Sequence, residues 1–148
     1  ETIKFIRRNM KTSIIIDTSG KRINREEYPL EAVREAVLNA LIHRDYSAQT
    51  ESSYISVYMY SDRIEIVSPG ALYGSNKLEK LGTASSLEVR NPTIIRILEE
   101  LDYIENRHSG IPTMKREMEK YGLPAPEFYD ERDCFKVILR NNLKDNNK

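Results

Sequence analysis

The chain has 148 residues, enough for one domain with a real core and too few for two comfortable ones. Its 39% hydrophobic and 31% charged content fits a globular protein, and 23 basic residues balance 23 acidic ones, so no global charge draws it toward nucleic acid. No apolar run approaches the roughly 20 residues of a membrane span, no signal-peptide pattern opens the chain, and the single cysteine, Cys134, excludes an internal disulfide framework and agrees with a reducing cytoplasm.

The chain opens at Glu1, without methionine and already inside an amphipathic pattern, so it reads as a piece of a longer protein. Glu1 to Lys11 forms a short helix with Ile3, Ile6 and Met10 on one face. Thr12 to Asp17 is β-branched and apolar, Thr18, Ser19 and Gly20 turn, and Lys21 to Glu27 supplies the second arm of a hairpin. Residues 1–20 are expected to link to an upstream domain, residues 21–140 to form the main domain, and residues 141–148 to be a flexible tail.

The stretch YPLEAVREAVLNALIHRDYS, Tyr28 to Ser47, predicts a helix over Tyr28–Tyr46. At about 100° per residue, Leu30, Val33, Val37, Leu38, Ala40 and Leu41 form one apolar arc facing a core. Glu35, Asn39, His43 and Tyr46 fall in a line on the other side, one turn apart. That line is bordered by Ala32, Ala36 and Ile42 and lacks the mixture of lysine and glutamate that coats a solvated face. It reads as a ligand-facing surface.

A polar loop, Ser47 to Ser53, leads into Tyr54–Ser61, where Ile55, Val57 and Met59 alternate with Tyr54, Ser56, Tyr58 and Tyr60. Asp62 and Arg63 reverse the chain, and Ile64 to Val67 returns as a strand ending at Ser68-Pro69-Gly70. Gly70 to Arg90 is long and rich in glycine and small polar residues, the composition of a mobile lid or binding loop. Asn91-Pro92 opens a helix through Ile94, Ile95, Leu98 and Leu101, with Asn91 as its cap. After Arg107-His108-Ser109-Gly110 a second helix runs from Ile111 to Tyr121, closed by Gly122. Leu123 to Phe128 is an extended proline segment, and Cys134 to Arg140 alternates as a final strand. The sum is an α+β fold, helices on one face of a mixed, mostly antiparallel sheet.

A glutamate and an asparagine one turn apart suit a defined chemistry. The carboxylate can orient and deprotonate a water, and the amide oxygen can hold a hard cation that bridges phosphates. Magnesium takes only one or two protein ligands beside phosphates and waters, so one asparagine suffices. Other site patterns are missing: there is no GxxxxGK[ST], His43 and His108 do not form HExxH, no second cysteine offers a zinc pair, and no serine sits in GxSxG.

The order of EAVLN in a helix, a hairpin ending in a glycine turn, a flexible lid, a second glycine turn opening a helix, and a last strand resembles the GHKL ATPases of Bergerat-type ATP-binding fold. More narrowly, YPLEAVREAVLNALIHRDYS, DRIEIVSPGALYG, RNPTIIRILEELDYIE and GLPAPEF resemble the C-terminal domain of prokaryotic RecG-related ATP-dependent DNA helicases, also described as transcriptional regulators. The resemblance covers about residues 20–140 and implies a two-layer α/β sandwich that binds ATP with Mg²⁺. It implies Glu35 as general base on the attacking water, Asn39 as the Mg²⁺ ligand, and His43 near the phosphates or lid. Ser68-Pro69-Gly70 occupies the turn that reads the adenine amino group, with Ser68 where those ATPases carry aspartate. Gly110 belongs to the second glycine turn, with His108 where related domains have glycine.

The same resemblance implies DNA contact through an upstream Schlafen-type domain and a regulatory role. Any ATPase activity would be weak, and no helicase motor motif is present. Two other readings stand beside it. Asn91–Leu101 followed by Ile111–Tyr121 imitates a winged helix, although Glu117 and Glu119 offset Lys115, Arg116 and Lys120. A ligand-free, self-associating interaction domain is the other, resting on Tyr54, Tyr58 and Tyr60.

Overall fold

The alternation at 63–69 and 134–140 has one physical consequence: two strands that can each bury one side and wet the other. In the computed structural model, which describes residues 1–83, 87–104 and 109–141, these are β4 (Arg63–Pro69) and β6 (Cys134–Arg140), the central pair of a four-stranded sheet. β3 (Ser56–Met59) flanks β4 and β5 (Glu127–Asp130) flanks β6, giving the order β3-β4-β6-β5. Every pairing among the described residues is antiparallel. The register sets Val57, Ile66, Val137 and Phe128 across one row, and Met59, Ile64 and Leu139 across the next, so the inner face is continuous hydrocarbon.

The outer face is a mesh of ion pairs. Arg63 holds Glu65 (2.6 Å) and Asp62 (2.8 Å), Arg140 holds Glu127 and Asp62, and Lys136 holds Glu131 (2.9 Å). Tyr54, Tyr58 and Tyr60 are exposed, and Tyr60 lies beneath the Arg63 guanidinium at 4.0 Å. Cys134 opens β6 half-buried, its thiol directed at Glu131, and burial pushes its pKa up. That is a packed thiol and not an activated one.

Helices cover the inner face. α1 (Thr2–Asn9) buries Ile6, and α2 (Leu30–His43) packs on β4 and β6. α3 (Pro92–Glu100) contributes Ile95, and α4 (Gly110–Lys120) buries Met114 and Met118 alongside α2. The hairpin of β1 (Thr12–Ile16) and β2 (Arg22–Glu26) forms a separate two-stranded sheet. The result is a two-layer α/β sandwich, and among the described residues no helix is long and apolar enough to cross a membrane.

Several boundaries differ from the sequence reading. The central helix is two residues shorter at its start than 28–46 and ends at His43. Its buried positions are Ala32, Val33, Ala36, Leu38, Ala40 and Ile42, while Leu41 is 39% exposed and Val37 half-buried. The cause is that α2 has neighbours on three sides. The sheet, α1 and α4 share one core cluster with Ala32, Val33, Ala36 and Ala40, and Ile95 of α3 joins Leu38 and Ile42 in a second. Alanines let α4 come close, so the border of the polar line belongs to the core. β5 emerges at the end of the proline segment. Asn91 precedes α3 as expected, yet its side chain makes no cap bond to that helix.

Candidate functional site: a cleft beside the central helix

The side chains at the end of α2 are arranged by how that helix stops. The last four carbonyls of any helix lack intrahelical partners, and here three of them are met by side chains. Ser68 Oγ donates to Ala40 O (2.8 Å), Tyr46 Oη to Leu41 O (2.8 Å), and Asn91 Nδ2 to Ile42 O (2.7 Å) and also to Arg44 O (2.8 Å). No glycine ends the helix, and the chain leaves at Arg44 in extended conformation. Three strings singled out in the sequence thus each supply a cap: HRDY, SPG and RNP.

Above this end lies a cleft of about 1080 Å³, counting the space open to solvent. Its wall includes Asn39, His43, Ser68, Gly70 and Gly110, five of the six residues expected to form a site. The sixth, Glu35, stands immediately beside it. A β-carbon on Gly110 would fall 2.6 Å from Asn39 Nδ2 and 3.1 Å from Glu35 Oε2, so a side chain there would push the Asn39 amide from its place. His108 lies outside the described residues.

Asn39 Nδ2 donates to the carbonyl of Glu35 (2.9 Å), which leaves the amide oxygen as the group available to a cation. Burial raises the Glu35 pKa; Arg34 pulls it down and Glu31 adds to the rise. A carboxylate displaced in that direction is a better base than a free one. His43 is reached by solvent through the mouth of the cleft, yet the surrounding protein and then the Arg90 charge push its pKa down, favouring neutral imidazole. Ser68, only 4% exposed, lines the cleft and has its proton committed to Ala40 O, so toward a ligand its hydroxyl could only accept.

The cleft floor is apolar, with Ile66, Val137, Phe128 and Phe135 from the sheet, and its described wall carries no lysine or arginine. No group of three or more His, Cys, Asp or Glu among the described residues could hold a metal ion without help. A hard cation would therefore rest on Asn39 and on the ligand's own oxygens, which fits magnesium's habit.

Sequence reading missed the Arg90 cluster. Arg90 Nη2 donates to Ala71 O (2.9 Å), its Nη1 is buried 3.9 Å from Asp45 Oδ2 without a hydrogen bond, and its guanidinium lies 5.2 Å from the Tyr73 ring centre. A buried donor left unpaired costs about 1–3 kcal/mol. The only advance signal was the Arg-Asn-Pro string itself.

A helix-covered antiparallel sheet with a cleft bordered by Gly70 and by Gly110 at the start of α4 defines an α/β sandwich domain with a candidate ligand site. The family model described as "Putative ATP-dependent DNA helicase recG C-terminal" matches residues 52–139, more than half of the chain, and the protein belongs to that family. The crystal structure of the DIP2311 protein from Corynebacterium diphtheriae superposes with a TM-score of 0.80 at 22% sequence identity, over 95% of this chain and 27% of that one. At that identity the likeness establishes the fold, and the chain spans about a quarter of that relative's length. No curated protein matches.

Proposed function

We propose that the cleft binds a nucleoside triphosphate together with Mg²⁺, and that the domain serves as a nucleotide-responsive regulatory module within a longer RecG-related protein. One observation carries the reading: the start of α4, at Gly110, is packed without a side chain against Glu35 and Asn39 at the cleft wall. Backbone N–H groups at a helix N-terminus favour phosphate, and they are brought beside a carboxylate and an amide oxygen.

In this reading the flat base enters the apolar slot over Phe128 and Phe135, where the Ser68 oxygen accepts from an exocyclic amine. Asn39 Oδ1 would hold the cation. Mg²⁺, when bound, neutralises phosphate charge that no described lysine or arginine of the wall would meet. Glu35 would hold a water through its carboxylate and take its proton as the water oxygen bonds to the γ-phosphorus, while the bond from that phosphorus to the bridging oxygen breaks and the nucleoside diphosphate leaves; the raised pKa suits that role. His43 is placed to donate or accept at the mouth of the cleft. Contact with DNA and control of transcription would pass through other parts of the longer protein.

Titration of the purified domain with ATP, in Mg²⁺ and then in EDTA, tests this. Saturable binding that disappears on chelation is expected. No binding at millimolar ATP with Mg²⁺ would leave a sandwich whose cleft serves something other than nucleotide.

A further inference from the structure

The loop between Gly70 and Arg90 is fastened at three levels. At its base Arg90, the last residue, donates to Ala71 O near its beginning (2.9 Å) and lies beside Asp45, which follows α2. Gly70, at φ +95°, threads between them: a β-carbon there would strike Arg90 Nη1 and approach Asp45 Cβ to 2.6 Å. Midway, Asn76 and Glu88 exchange two bonds, Nδ2 to Glu88 O (2.8 Å) and Glu88 N to Asn76 Oδ1 (2.9 Å), while Ser75 donates N–H and O–H to the Glu88 carboxylate (3.2 and 2.5 Å). Farther out Leu81 is buried, and Gly82 sits so close to Ile111 of α4 that a β-carbon would come within 2.7 Å of its Cγ2. Leu72 N also donates to Asp130 Oδ1 of β5 (2.8 Å).

We infer that Arg90 is a positioning residue for the cleft, latching the two ends of this loop to the end of α2 so that its described parts, residues 70–83 and 87–90, line the cleft before any ligand arrives. The next residue, Asn91, bonds the α2 carbonyls, so the dipeptide fixes the loop's far end to the helix that carries Asn39 and His43. Latching through a planar fork that touches Ala71, Asp45 and Tyr73 together is a task for arginine that lysine performs poorly. The inference takes the cleft to be the binding site proposed above, but its first test needs no ligand.

Hydrogen exchange of the ligand-free domain should show Leu72, Ser75 and Glu88 amides protected. Arg90→Ala should speed their exchange by about tenfold or more while β4 and β6 amides stay unchanged. Arg90→Lys should recover only part of the protection, and Asp45→Asn should loosen the loop by about threefold. These two variants carry the test if Arg90→Ala does not fold. With Mg-ATP as probe, Arg90→Ala should raise association and dissociation rates together, since a loop latched along the cleft slows both. Unprotected loop amides in wild type, or unchanged exchange in all the variants, overturns the latch. Failure of wild type to bind Mg-ATP would overturn the nucleotide reading alone, with exchange still deciding the latch.

Discussion

The two ends of the cleft are built in opposite ways. At the Glu35–Asn39–Gly110 end, both side chains come from adjacent turns of one helix, and a single close contact with α4 completes the group. At the Ser68–Gly70–Arg90 end, residues from β4, the loop and the segment after α2 meet through bonds that cap a helix and close a loop. The first end can therefore lose a functional group with little structural cost. At the second end, removing a side chain leaves a buried carbonyl without a partner.

The largest expected effect lies at the first end. If the domain hydrolyses ATP, Glu35→Ala should cut the single-turnover rate by about 10² to 10⁴-fold while nucleotide binding and melting temperature change little. Asn39→Ala comes next: loss of one charge-assisted contact, about 1.5–3 kcal/mol, should weaken Mg-nucleotide binding by roughly 10- to 100-fold in calorimetry. A matching loss of thermal stability would erase the contrast between the two ends.

At the second end the readout is stability. Asn91→Ala strips partners from two carbonyls and should cost about 1–3 kcal/mol in urea unfolding, and Ser68→Ala, which strips one, about 1–2 kcal/mol. If Ser68→Ala left stability untouched and abolished binding, the serine would be a ligand contact and not a cap.

The smallest effect sharpens the first end. Because the Glu35 pKa is raised in the folded state, the folded protein holds its proton more tightly than the unfolded chain. Between the two pKa values wild-type stability therefore falls as pH rises. Glu35→Gln removes that slope, so its stability relative to wild type should be greater at pH 7 than at pH 4, measured by paired urea titrations. An advantage larger at pH 4 would contradict the direction of the shift.

The contrast between the ends also separates what could be read from the sequence from what could not. The line Glu35, Asn39, His43 is an i, i+4 pattern, and helical geometry alone brings it to one side. The β4 and β6 alternation declared the sheet for the same reason. The buried arc of α2 was harder, because periodicity assumes one covered face and this helix is covered on three. Pro124 and Pro126 hid β5, since proline marks a run as irregular while the strand begins just after it at Glu127. The cap bonds run from Ser68 to a residue 28 positions away and from Asn91 to one 49 away, and no local pattern encodes such a partner. Asn91 looked like the start of α3, the common use of asparagine before proline, and its amide instead serves the end of α2.

The finish of α2 also bears on how the domain folds. A fragment holding only the helix and its HRDY exit would contain Tyr46 but neither Ser68 nor Asn91, so Ala40 and Ile42 would keep open carbonyls and the last turn would fray. That turn closes only when β4 has paired and the start of α3 has docked. The last turn of α2, which carries His43, is thus completed by side chains far apart in sequence, and the cleft beside it depends on the tertiary structure that brings them together.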